Sequence, residues 1–364
     1  MTNKSAPPRP APAEATGSRP SVQLAGQPSA ATPHLVSDMK PTVVAQQALA
    51  WAAGADISAR SALVTILGDT IAPLGGTVWL ADLIALAGTF GFNERLVRTS
   101  MFRLASERWV TSERIGRKSR YSLTDFGRAE FSEAENRIYQ RNSADWDGRW
   151  TLVLTSGNGG TDDELTRHLQ WRGFAEVSRG VYATPHCDPA GVEQLFTHLN
   201  LDPHPLMATA CFRQDDLLTG SDAFRTDSGL AEAEAAYHEF VERYERLDHD
   251  PDHGPQVDTS ATATNGDDPR LNLSPQDAFA LRTMVIHDLR RARLRDPELP
   301  AALMTPDWIG HQAFNLAASL YQTTNESSWR WVETVTGSTP DPETTHLTQR
   351  FAGAHHPPDH QDHR

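Results

Sequence analysis

Disulfide scaffolds are excluded first: the 364-residue chain has only two cysteines, Cys187 and Cys211, too few to staple a fold of this length. Both fall in stretches that read as strands or strand edges. In a reducing compartment such thiols serve as small buried hydrophobes. Long apolar runs are also missing. None approaches the roughly 20 residues of a membrane helix. The Pro/Ala/Ser-rich N-terminus has no apolar segment of the kind a secretory signal carries. A cytoplasmic protein with no membrane partner is expected. Positive charge is scarce as well: 33 Lys and Arg stand against 47 Asp and Glu, a net charge of −14. Indiscriminate polyanion binding is therefore excluded.

The positive charge that exists is concentrated. Residues 58–128 hold ten Lys and Arg and six Asp and Glu, a surplus of four, so the remainder carries −18. Within this stretch Asn93 is a good helix N-cap, and Glu94 suits the positive end of a helix dipole. Advancing 100° per residue puts Arg95, Arg98, Thr99, Phe102, Arg103 and Ser106 on one face. Leu96, Val97, Ser100, Met101, Leu104 and Ala105 fall on the other flank. One side of this helix can be buried while three guanidiniums lie along a groove, where their planar forks suit phosphate oxygens or a guanine edge.

The surroundings fit. Residues 58–73 read as a first helix stopped near Pro73, and Leu80, Leu83, Ile84 and Ala87 mark a second. Gly88 and Gly91 mark the turn into the third. Trp109–Ile115 and Ser119–Leu123 alternate as strands around Gly116, Arg117 and Lys118. This is the layout of a winged helix-turn-helix DNA reader. DNA contacts are expected from Arg95, Arg98, Thr99 and Arg103 on the helix and Arg117, Lys118 and Arg120 at the wing. Phe102 either packs sideways on the hairpin or meets a thymine methyl. The competing reading is a solvated cationic face.

Several separate runs then agree on one family. GDTIAPLGGTVWLADLI, FGFNERLVRTSMFRL and WDGRWTLVL (146–154), followed by FALRTMVIHDLRR (279–291) and RDPELPAALMTPDWIG (295–310), resemble PaaX-type repressors of phenylacetate catabolism. The likeness spans residues 58–335 in the family's order. It implies a dimeric repressor with a winged-helix head, a ferredoxin-like middle domain and a helical C-terminal region. It also implies double-stranded operator DNA as partner and phenylacetyl-coenzyme A as the acyl-coenzyme A effector. No catalytic residue, metal or cofactor is expected.

The predicted class is α+β and multidomain. A mostly disordered tail covers 1–55, although Val43–Trp51 has the makings of a brief helix. The winged-helix domain covers 56–140, a ferredoxin-like dimerisation domain 146–215, and a helical effector domain 225–336 containing an acidic loop at 249–270. A disordered polar tail follows at 337–364, carrying His346, His355, His356, His360 and His363. From Trp150 the order reads β-α-β-β-α-β, the split βαβ arrangement. Related small nucleases place a carboxylate at the end of the first strand. Here that strand ends Thr155-Ser156-Gly157, and Asp162 and Asp163 read as helix caps. A metal-dependent nuclease is the competing enzyme class.

In the effector region, 229–247, 275–295 and 307–322 read as amphipathic helices, with Glu326–Val335 as a further one. On the second of these, Arg282 falls amid Ala278, Phe279, Val285, Ile286 and Leu289. A guanidinium on an apolar stripe demands a partner. That partner is either an internal carboxylate, with 229–247 as its source, or a ligand's acyl oxygen or phosphate, or a carboxylate that ligand binding disturbs. Arg282, Arg290, Arg291 and Trp308 are the candidate effector contacts; Trp308 also suits a core anchor, and His287 and His311 read as structural or exposed.

Overall fold

In the computed structural model the described residues are 57–140 and, beyond them, 146–354 with breaks at 141–145, 156–161, 186–188, 202–203, 212–228, 249–270, 272, 301–303, 305–306, 341–346, 348 and 353. The Val43–Trp51 helix, the acidic loop, Cys187 and the histidines of the tail lie outside them.

Helix α1 (Ala59–Ile66) starts where the Ser58 hydroxyl accepts from the Ser61 amide, and it continues as a π-turn, Leu67–Ile71, before Pro73. Strand β1 (Thr77–Trp79) follows. Its β-branched and aromatic residues suit pairing with a neighbouring strand. Helices α2 (Leu80–Gly88) and α3 (Glu94–Ser106) come next, then β2 (Val110–Ile115) and β3 (Lys118–Leu123). The three strands form an antiparallel sheet in the order β1-β3-β2. Ile115 pairs with Lys118, which leaves the two-residue turn Gly116-Arg117. Such tight turns need positive φ, and Gly116 supplies it at 61°. Lys118 thus belongs to the strand rather than to the turn.

Helix α4 (Asp125–Tyr139) is capped by Thr124, whose hydroxyl accepts from the Gly127 amide. Gly127 is required by proximity: a Cβ there would lie 2.2 Å from the carbonyl oxygen of Trp109. The middle region holds β4 (Arg149–Leu154), α5 (Asp162–Trp171), β5 (Ala175–Ser178), β6 (Val181–Thr184), α6 (Pro189–Leu199) and β7 (Leu206–Cys211). Its antiparallel sheet has the order β5-β6-β4-β7, matching the expected βαββαβ succession. Cys211 is exposed at its end, against the expectation of burial, because β7 is an edge strand.

Three helices complete the chain: α7 (Leu230–Asp248), α8 (Pro275–Arg293) and α9 (Ile309–Thr336). The two helices expected at 307–322 and 326–335 are one continuous rod. Its middle residues Thr324, Ser327 and Ser328 are buried, so a polar stretch that reads as a break is inside the fold. The expected solvated tail is corrected in part as well: Arg350, Phe351 and Ala354 are buried. The Phe351 ring meets Tyr139 at 5.3 Å and Phe314 at 5.1 Å. Apolar burial of this kind anchors a segment that has no periodicity of its own.

The head and the C-terminal helices share their interior. Phe279 of α8 and Val332 of α9 join the core formed by Leu63, Leu83, Val97 and Met101. Ala134, Ile138 and Tyr139 of α4 join the core of α7, α8 and α9.

Candidate functional site

Helix α3 divides as its sequence requires. Asn93 Oδ1 accepts from the Leu96 amide at 3.0 Å and sets the start of the helix. Val97, Met101 and Leu104 are fully buried, which fixes the rotation of the helix. Arg95, Arg98, Thr99, Phe102, Arg103 and Ser106 are consequently all exposed. Thr99 donates to the Arg95 carbonyl at 2.9 Å. Arg98 pairs with Glu94 at 2.6 Å, both more than half exposed. Such a pair is weak and exchanges readily for another anion. Among the described residues no ion pair holds Arg95, Arg103 or Arg117. Phe102 is 70% exposed and Leu96 46%. Phe102 therefore does not pack on the hairpin, and Leu96 departs from the buried flank.

At the hairpin Arg117 and Lys118 are exposed and Arg120 is half-buried. Arg120 pairs with Glu113 across the strands at 2.7 Å. Lys118 and Arg120 both lie over the Trp79 ring, at 5.8 and 5.9 Å. Cation–π contacts of this kind hold a cationic side chain without neutralising it.

Behind this surface lies a buried ionic brace that the sequence reading had only in half. Arg282 is fully buried and pairs with Asp69 at 2.8 Å. Its partner is thus an internal carboxylate, but one from the π-turn of the head and not from α7. Arg350 meets the other Asp69 oxygen at 3.0 Å and Glu135 at 2.9 Å. Tyr139 donates to Asp69 at 2.6 Å. Burial pushes the Asp69 carboxyl up, yet Arg282, Arg350 and the Tyr139 hydroxyl together carry it below its ordinary value. Asn325 accepts from Arg282 at 3.2 Å, and the Trp329 ring lies 4.6 Å from that guanidinium.

A second knot joins α4 to the middle region. Glu130 is fully buried, bonded by Arg172 and by His168 at 3.2 Å. Arg137 donates to the carbonyls of Gln170, Trp171, Arg293 and Asp296. Asp69, Glu130, Arg137 and Arg350 were all missed from sequence. A carboxylate in the apolar run ALVTILGDTIAP carries the same signal that singled out Arg282. Arg350 gave no signal.

The remaining candidates separate. Trp308 is buried edge-on to Tyr237, with ring centres 5.9 Å apart, as a core anchor. Arg291 is exposed. Arg290 is buried and lines a cleft of about 1130 Å³ together with Arg60, Trp109, His168 and Trp171. Among the described residues no group of three His, Cys, Asp or Glu side chains is placed to hold a metal, and no helix is long and apolar enough to cross a membrane.

Three family models match in succession: PaaX-like protein over residues 58–127, the PaaX protein central Cas2-like domain over 143–217, and the PaaX-like protein C-terminal domain over 229–334. The Transcriptional repressor PaaX of Escherichia coli is 32% identical over 307 residues, 82% of this chain and 91% of its own length. This chain belongs to the PaaX family. Among solved structures, the uncharacterized protein Rv0674 from Mycobacterium tuberculosis aligns with 70% of this PaaX-family chain and 89% of its own, at 19% identity and a TM-score of 0.35. The succession of matches accounts for the α3 surface, the middle sheet and the α7–α9 bundle as parts of one family architecture.

Proposed function

We propose that this chain is a cytoplasmic, homodimeric, non-enzymatic transcriptional repressor of aromatic-acid (phenylacetate) catabolic genes, released from its operator by phenylacetyl-coenzyme A. The observation that carries this reading is the exposed α3 face. Arg95, Arg98 and Arg103 lie opposite a buried apolar side, in a stretch of an acidic chain where positive charge accumulates. The exposed Phe102 and Leu96 add apolar surface beside those cations, as contact with thymine methyls requires. In this reading the head is a winged helix: α3 enters the major groove, and Arg117, Lys118 and Arg120 grip flanking phosphates. A dimer supplies the twofold of a palindromic operator, with half-sites roughly 34 Å or a multiple apart.

The Escherichia coli relative, named a transcriptional repressor, supports the same role here. The test is a mobility shift on the DNA upstream of this chain's own gene, titrated with phenylacetyl-coenzyme A and with free phenylacetate. A specific shift undone by the thioester is expected. Failure to shift that DNA at low salt would overturn the reading. Magnesium-dependent cleavage of the same DNA would instead favour a nuclease.

A further inference from the structure

The cleft beside Arg290 is bounded by α1, by α5 and by the end of α8, and it contains a polar group the fold leaves unmatched. Arg290 is 8% exposed. One of its terminal nitrogens donates to Ser61 Oγ at 3.1 Å and approaches the Ser61 carbonyl at 3.4 Å. Its Nε has no hydrogen-bond partner, and among the described residues no carboxylate pairs with it. This contrasts with Arg282 on Asp69 and Arg293 on Glu298 at 3.0 Å, on the same helix. A buried guanidinium without a counter-ion is costly.

We propose that this cleft is the effector site, that it takes an organic anion bearing a flat ring, and that the anionic group sits on Arg290. The inference rests on the reading above that a small molecule releases the repressor. Carboxylates also face the cleft, but the fold uses three of them. Glu107 pairs with Arg60, Glu176 accepts from the Gly180 amide, and Asp296 accepts from Tyr237 and from the Glu298 amide. Glu164 and Glu232 are exposed at the rim. Burial, with Arg291 and Arg60 nearby, lowers the Arg290 pKa to about 10, so the site repels a second cation and favours an anion.

The walls suit a ring. Trp109, Phe126, Trp171 and Phe174 line the cleft, and the Trp171 ring centre lies 5.7 Å from the Arg290 guanidinium. About 1130 Å³ matches or slightly exceeds the upper end of ordinary small-molecule sites. Ser61 belongs to α1, whose Leu63 shares a core with Val97 and Met101 of α3. A ligand on Arg290 competes for the Ser61 contact and so reaches the α3 helix through one layer of packing.

The test is calorimetric titration of the purified full-length chain with phenylacetyl-coenzyme A, coenzyme A and phenylacetate, for wild type, Arg290→Gln and Arg246→Gln. Arg290→Gln should weaken the bound probe about tenfold or more, while Arg246→Gln, exposed on α7 and away from the cleft, leaves it unchanged. Loss for both coenzyme A probes places a phosphate on Arg290; loss for phenylacetate alone places a carboxylate there. Wild-type affinity in Arg290→Gln, or no binding of any probe by wild type, overturns the proposal. Operator shift in the same preparations reports on the repressor reading separately. Should Arg290→Gln not fold, hydrogen exchange on wild type decides. Ligand-induced protection in residues 164–175 and 290–297 supports the site, and protection confined elsewhere sinks it.

Discussion

Helices α3 and α8 both carry several arginines and treat them in opposite ways. On α3, Val97, Met101 and Leu104 take the whole interior, and the guanidiniums stay in water, where a pair such as Arg98–Glu94 contributes little. On α8 burial runs nearly all round, and Arg282, Arg290 and Arg293 are carried inside with it. There each guanidinium needs an internal answer. Arg282 has Asp69; Arg293 has Glu298 and the carbonyls of Arg137 and Gln140, both at 2.8 Å. Residue type alone therefore says little about role. The apolar residues spaced around an arginine decide whether it is a contact for a partner, part of the architecture, or, as proposed for Arg290, a buried group kept for a ligand's negative charge.

The comparison breaks most easily at Asp69. Asp69→Ala leaves both Arg282 and Arg350 buried without their shared carboxylate. Removing one partner of a buried pair typically costs about 3–5 kcal/mol, and urea unfolding should show a loss of that size. The depressed Asp69 pKa gives the same contribution a pH signature: it is fully present above the ordinary carboxylate range and is lost as pH falls through the folded value. Unchanged stability in Asp69→Ala would mean that the brace is incidental.

Next in size is the exposed set. Arg98→Ala and Arg103→Ala should each weaken operator binding by about 1–3 kcal/mol if they read bases, while protein stability moves by no more than about 0.5 kcal/mol. Arg282→Ala should do the reverse, lowering stability first. Operator affinity equal to wild type in both α3 variants would place those arginines among ordinary solvated charges.

How much of this could be read beforehand follows from range. The rotation of α3 is a local matter of residues three and four apart, and its exposed face was legible except for Leu96, which the wheel put on the buried flank. The βαββαβ succession is equally local. Arg282 announced a need for a counter-charge, but Asp69 lies 213 residues away, and no short-range pattern links the two. The cleft at Arg290 is assembled from several stretches distant in sequence, so neither its volume nor the exclusion of Trp308 from it could be anticipated. Arg350 and Phe351 hold their segment by isolated contacts, which leave no periodicity to find. The break expected near residue 323 reflected polar side chains that α9 buries against its neighbours.

The smallest effect sharpens the contrast from inside α8. His287 is buried beside Thr65, its Nδ1 3.1 Å from the hydroxyl. Burial first, then Arg290, Arg291 and Arg243, pull its pKa down to about 3. In the unfolded chain the imidazole titrates near 6.5. Acid therefore protonates the unfolded state first. Stability should fall as pH drops below about 6.5, by up to about 1.4 kcal/mol per pH unit, until the folded value is reached. Replacement by a residue that keeps the hydroxyl contact but cannot titrate, His287→Asn, should flatten the profile between pH 6.5 and 5, above the range in which Asp69 and Glu130 lose their charge. Because the charged side chains of α3 are all exposed, its variants should leave that profile unchanged; a slope that persists in His287→Asn would assign the acid sensitivity to another group and remove His287 from the buried electrostatics of α8.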